Sequence, residues 1–163
     1  MLSLFRSGPI ADIISGQLRY SCPPSAELPR LVDSLCTAVR AAWEIWEPPF
    51  VAALASWGLS DLHLFSDGNR RTARGLAFAI LTRAGMVSAT DAALDKSHGL
   101  YRMRETRTRY CNAIQSITDA LSAVGGPMAV SAEALRSGAM TATMFTPLSA
   151  IIFETAEAVA RET

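Results

Sequence analysis

One stretch of the chain gathers the residue types that phosphorus-centred chemistry needs: His63-Leu64-Phe65-Ser66-Asp67-Gly68-Asn69-Arg70-Arg71-Thr72-Ala73-Arg74. It stands at the expected entrance of a helix, where unpaired backbone N–H groups and the positive end of the dipole attract anions. Gly68 and Asn69 tolerate the left-handed conformation that folds successive N–H groups into a concave nest. Arg71 and Arg74, three residues apart, fall on one helical face and could clasp a multiply charged phosphate chain. Asp67 is a hard oxygen ligand suited to Mg2+, which usually arrives with the phosphates it bridges. His63 is the side chain here whose ordinary pKa suits accepting a proton near neutrality. A base, a metal ligand, an anion nest and two cationic clamps in one loop suit transfer of a phosphorus-centred group to a hydroxyl.

The rest of the chain must hold that loop. Its 163 residues leave room for one domain, spanning 1–163. Charged residues make up 18% and apolar ones 50%, so a sizeable core is available and a disordered tail is excluded. Fifteen basic and fifteen acidic residues cancel, which gives no whole-molecule field toward nucleic acid or membrane, and neither is expected as a partner. Fourteen of the fifteen basic residues are arginine, the residue suited to bidentate binding of phosphate and carboxylate. Three cysteines with no metal spacing read as reduced thiols. With no secretory signal and no run of about 18 apolar residues, the expectation is a soluble, cytoplasmic protein, or one delivered into another cell.

Hydrophobic periods predict a helical bundle carrying one small β-hairpin, an all-α class. The hairpin spans about 9–22, with strands Pro9–Ile14 and Gln17–Cys22 around a Ser15-Gly16 linker, stopped by Pro23-Pro24. Val32, Cys36, Val39 and Trp43 form the stripe of a first helix, and Phe50 to Leu62 a second. A third follows Gly68-Asn69, with Leu76, Ile80 and Ala84 on its inner face and Gly85 as its stop. The C-terminal helices occupy about 97–161. One covers Ser97 to Val124, with Ile114, Ile117 and Leu121 inward, and one or two more lie between Ser131 and Arg161, broken near Thr146-Pro147.

The segment 63–74 resembles the signature of the Fic/Doc family, H-x-F-x-(D/E)-G-N-(G/K)-R-x-x-R, with His63, Phe65, Asp67, Gly68, Asn69, Arg71 and Arg74 on its specified positions. Seven such residues at about 1 in 20 each match by chance roughly once in 10⁷ over a chain this long. The hairpin and Pro23-Pro24 look like the family's target-binding flap, and Arg107-x-x-Tyr110 looks like its R-x-x-Y element, so the resemblance covers about residues 6 to 115. It implies a Fic fold and a Mg2+-dependent transfer of AMP from ATP to a Ser, Thr or Tyr hydroxyl of a target protein. By that resemblance His63 is the general base and Asp67 holds Mg2+ on the α- and β-phosphates. Gly68 and Asn69 line the anion hole of the active-site loop 63–71, Arg71 grips the β-phosphate and Arg74 reaches the γ-phosphate. Phe65 anchors the loop, Tyr110 lines the base pocket or simply packs in the core, and the flap Gln17, Leu18, Arg19 and Tyr20 holds the target's backbone by strand addition.

Two positions depart from the family pattern. Leu64 replaces the proline common in AMP-transferring relatives. Arg70 stands where those relatives carry a second glycine, and its side chain crowds the diphosphate's approach or adds a cation to it. The Doc branch has lysine there and transfers the γ-phosphate instead, so Arg70 leaves open a Doc-like phosphotransferase or a module that has lost catalysis. The family's self-inhibitory signature, S/T-x-x-x-E-(G/N), does not occur in the chain. Restraint by a small antitoxin that supplies the glutamate is one expectation and no such restraint the other; toxin and effector roles look alike. Arg102, Arg104, Arg107 and Arg109 are expected to spread around their helix as a solvated face. His98 reads as an ordinary structural histidine.

Overall fold

The computed structural model describes residues 5–6, 13–15, 18–20 and 22–161. A two-stranded antiparallel sheet, β1 (Ile13–Ser15) and β2 (Leu18–Tyr20), precedes seven α-helices. These are α1 (Leu28–Ile45), α2 (Pro48–Leu62), α3 (Asn69–Arg83), α4 (Asp91–Arg102), α5 (Arg104–Ser122), the short α6 (Ala132–Arg136) and α7 (Thr146–Ala160). The helical class and the hairpin agree with the sequence. The hairpin's register does not, because Ser15 pairs with Leu18 instead of forming the linker. Serine lacks glycine's freedom at positive φ and is a weak breaker, so pairing runs one residue further than the Ser-Gly signal implied. Gln17 and the outer parts of the expected strands lie outside the described residues.

The fold is organised around α2. Every residue from Val51 to Leu62 is buried, with α1, α3, α5 and α7 packed against the helix. Such a helix has no polar face, so its buried Ser56, Ser60 and Asp61 need partners from its neighbours. α5 supplies them. The Tyr110 hydroxyl lies 2.7 Å from Ser56 Oγ and 3.3 Å from Ser60 Oγ, and Thr118 Oγ1 donates to Asp61 at 2.8 Å.

Three expectations need correction. On α1 the buried stripe is Leu28, Leu31, Leu35, Ala38 and Ala42, whereas Cys36 and Trp43 are exposed. The two alanines carry little hydrophobic signal. Gly58 supplies the matching gap on α2, since a Cβ there would lie 2.5 Å from Leu35 Cδ1. On α3 the inner face is Ala73, Ala77, Ile80 and Leu81, while Leu76 faces outward. The single helix expected over 97–124 is two, separated at Met103, whose backbone is extended (φ −60°, ψ 133°). No proline or glycine marks this break; packing imposes it, bringing Tyr101 at the end of α4 edge-on to Tyr110 of α5 with ring centroids 5.4 Å apart. The expected break near Thr146-Pro147 is the start of α7, with Pro147 tolerated in the first turn. Among the described residues, no helix is long and apolar enough to cross a membrane.

Candidate active site

The loop from His63 to Gly68 joins the end of α2 to the start of α3, and both ends turn through the left-handed region. His63 closes α2 at φ 49°, the one positive-φ non-glycine position among the described residues, and Gly68 opens α3 at φ 82°. Glycine takes that conformation without strain, whereas a residue with a Cβ needs support from its surroundings. Arg6 supplies it. Its Nε donates to the His63 carbonyl at 2.9 Å, its backbone N–H donates to the Leu64 carbonyl at 2.9 Å, and its Nη2 donates to the Pro23 carbonyl. Two carbonyls in the turn just past the C-terminus of α2 are thereby satisfied by one buried residue, through its side chain and its own backbone.

The far side of the loop is tied by Asn69, only 3% exposed. Its Oδ1 accepts from the Phe65 N–H at 2.8 Å and its Nδ2 donates to the Phe65 carbonyl at 2.7 Å. The Asn69 side chain thus folds inward and fixes the loop's shape, so anything it offers to an anion comes from its backbone N–H. Phe65 packs against the core, in line with the expected anchor. Gly68 leaves the mouth of the loop open, because the nearest atom to a Cβ built there is Arg71 Nη2 at 3.9 Å.

The His63 ring is half-buried. Desolvation lowers its pKa below the ordinary value, a hydrogen bond to the Ser60 backbone raises it, and the Arg6 and Arg70 guanidiniums lower it again. The net direction keeps the imidazole neutral at neutral pH, the form that accepts a proton. Asp67 points outward with its side chain 91% exposed. Its Oδ1 accepts from the Gly68 N–H at 2.6 Å, and Oδ2 lies 3.4 Å from Arg71 Nη2. Exposed pairs of that kind contribute little, so both groups can exchange partners at low cost.

The arginines are arranged differently from the sequence expectation. Arg71 is 70% exposed beside Asp67, whereas Arg74 is drawn inward over the Tyr101 ring, 5.3 Å from its centroid. Arg74 Nε is buried with no hydrogen-bond partner, and burial lowers this guanidinium's pKa from its ordinary value. The residue facing the same space as Arg74 is Arg70, one turn away. Both line a cavity of about 270 Å³ whose other walls include Tyr101, Arg102, Arg107 and Tyr110. Arg102, Arg104, Arg107 and Arg109 are all exposed, as expected of a solvated face; Arg102 and Arg107 also border this cavity, and Arg109 pairs with Glu154 at 2.8 Å. Tyr110 is a core residue, held by Ser56 and Ser60, that also forms part of the cavity wall. Of the flap, the backbone of Leu18, Arg19 and Tyr20 forms β2, which lies beside α5.

Asp67 fits the habit of Mg2+, which takes one or two carboxylates and draws its remaining ligands from phosphates and water. Among the described residues no group of three or more His, Cys, Asp or Glu side chains could hold a metal by itself. Any Mg2+ here would need its phosphate partners.

A family model described as the Fic/DOC family matches residues 3–81, which include the hairpin, α1, α2, the loop and most of α3. No curated protein matches the chain. Among solved structures, a Fic domain-containing signaling protein from Bacteroides thetaiotaomicron superposes with a TM-score of 0.64 at 21% identity, covering 96% of this chain. The chain spans about half of that protein, 53% of its length. The likeness shows a shared fold. Residues 3–81 match the Fic/DOC family, and the chain as a whole takes the fold of a Fic domain.

Proposed function

We propose that the protein transfers AMP from ATP to a hydroxyl of a target protein. The observation that carries this reading is the half-buried His63 beside the open loop that leads into the N-terminus of α3. His63 takes the proton from the attacking hydroxyl. Gly68, Asn69 and the next residues offer backbone N–H groups to the phosphates, and Arg71 leaves Asp67 to grip them. Asp67 would hold Mg2+, which supplies Lewis-acid polarisation of the phosphate oxygens when bound. Arg74, with its unpartnered Nε, takes the terminal phosphate. The edge of the β1–β2 hairpin would pair with an extended segment of the target, presenting its Ser, Thr or Tyr. In this reading restraint comes from a separate antitoxin whose glutamate occupies the space facing Arg74.

A second reading, a Doc-like transfer of the γ-phosphate, is favoured by Arg70, which brings its cation to the cavity that Arg74 lines. Incubation with α-labelled and, separately, γ-labelled ATP and candidate proteins decides between them. Label from the α position supports AMP transfer, and label from the γ position alone overturns it. Absence of either label, together with no ATP binding in calorimetry and none restored by Arg70→Gly, would leave a non-catalytic module. His63→Ala should lower transfer by about 10²–10⁴-fold with nucleotide binding nearly intact.

A further inference from the structure

We infer that the cavity between α3, α4 and α5 is an oligophosphate subsite in which Arg102 and Arg107 join Arg70 and Arg74 as ligands. The inference deepens the reading of the same site and rests on it where the ligand is a nucleotide; the subsite itself is tested without catalysis.

Four guanidiniums line this cavity, and among the described residues no acidic side chain does. Arg102 and Arg107 have no ion-pair or side-chain hydrogen-bond partner among the described residues, although the chain uses arginine in exposed pairs elsewhere, at Arg30, Arg109 and Arg161. Arg74 adds a buried Nε with no partner. Holding like charges together is unfavourable, and a buried donor left unpaired costs more; both terms reverse when a polyanion enters. The break at Met103 makes the arrangement possible. It turns the end of α4 against the start of α5, so that residues 102 and 107 face one space despite lying on different helices.

Size and charge density select the ligand class. At about 270 Å³ the cavity falls below the ~300–1,000 Å³ typical of pockets that enclose a whole small molecule, so it receives the charged end of a ligand. A phosphate brings close to two charges and three acceptor oxygens in a compact group, and the planar fork of arginine matches its geometry. A carboxylate brings one charge, so an acidic peptide would need several side chains in the same small space. Two or three linked phosphates meet the demand. They can be the tail of a nucleoside triphosphate or a free oligophosphate.

Calorimetry in EDTA with inorganic tripolyphosphate, orthophosphate, ATP and AMP tests the inference on the full chain. Tripolyphosphate should bind more tightly than orthophosphate, and Arg102→Ala with Arg107→Ala should weaken it by about tenfold or more. Arg40→Ala, on the exposed face of α1, should not weaken it. If the double variant weakens ATP as well but leaves AMP unchanged, the subsite takes the nucleotide's tail. If it weakens tripolyphosphate and leaves ATP unchanged, the subsite takes a free oligophosphate. No binding of tripolyphosphate, binding indifferent to the double variant, or tighter binding of an oligoglutamate peptide would overturn the inference. Tripolyphosphate binding that persists in a protein with no label transfer from ATP would remove the enzymatic reading and leave the subsite standing.

Discussion

The Arg6 guanidinium donates to the backbone carbonyl of His63 across 57 residues of sequence, and the bond sits where the chain leaves α2 in a left-handed turn. A non-glycine residue in that region stores strain of order 1–3 kcal/mol, which persists only where neighbours over-determine it. The orientation of the His63 ring therefore depends on a residue from before the hairpin. Arg6→Ala should lower transfer by about tenfold or more while ATP affinity changes little, because the phosphate-binding groups belong to α3. Arg6→Lys should not restore the rate, since one ammonium cannot reach the carbonyls of His63 and Pro23 together. Equal loss in kcat and in ATP affinity would mean that Arg6 supports the loop as a whole and has no particular hold on His63.

Asn69 and Phe65 close the loop's other side. The Asn69 amide satisfies one donor and one acceptor of the Phe65 backbone, so Asn69→Ala strands both in a partly buried setting. A cost of about 1–3 kcal/mol follows, read as a lower denaturant midpoint with unchanged slope. Asn69→Asp keeps the acceptor for the Phe65 N–H but loses the donor to its carbonyl, and should recover part of the stability. Alanine at full stability would show that the loop does not need this tie.

The acid limb of the pH–rate profile reports the base. His63 titrates below its ordinary value because burial dominates, with Arg6 and Arg70 adding to the depression. Transfer should therefore rise through a limb centred below pH 6.5 and stay level through neutrality. Removing one cation favours the protonated ring, so Arg70→Gly should move that limb to higher pH. A shift to lower pH, or none, would mean that Arg70 does not act on His63 in the working enzyme.

Much of this site was legible because its signals are local. A left-handed glycine before a helix, a histidine at the end of the preceding helix and an asparagine at the helix entrance each declare themselves within a few residues. What escaped depends on distance. Nothing near Arg6 marks it as the partner of a carbonyl on another element. Arg102 and Arg107 are exposed, as the sequence implied, but that they border one space escaped it, because on one continuous helix through Met103 they point apart. The break follows from the packing of Tyr101 on Tyr110, which no dipeptide announces. The inner stripe of α1 was missed for a related reason: Ala38 and Ala42 look neutral until Gly58 shows how closely α1 and α2 approach.

Asp61 tests the packing of the central helix behind the site. It is 3% exposed near the C-terminal end of α2, where the dipole already disfavours a negative charge, and it accepts a hydrogen bond from the Thr118 hydroxyl. Burial raises its carboxyl pKa to about 6 from an ordinary value of 3.8, with the Thr118 hydrogen bond lowering it in part. Below pH 3.8 the group is protonated in the folded and unfolded chains alike. Between 3.8 and 6 the unfolded chain ionises first, so the folded state loses stability as pH rises, and above 6 the loss is complete. Two pKa units correspond to about 3 kcal/mol. Asp61→Asn removes the titration and retains a carbonyl acceptor for Thr118. The wild type's stability relative to this variant should therefore fall by about 3 kcal/mol between pH 3.5 and pH 8, measured by urea unfolding. His63, whose depressed pKa makes it stabilising above pH 6.5 and less so as pH falls, is common to both proteins and cancels in the comparison. A difference independent of pH would mean that Asp61 ionises in the folded protein as readily as in the unfolded chain, and that the core beside His63 is more hydrated than its packing implies.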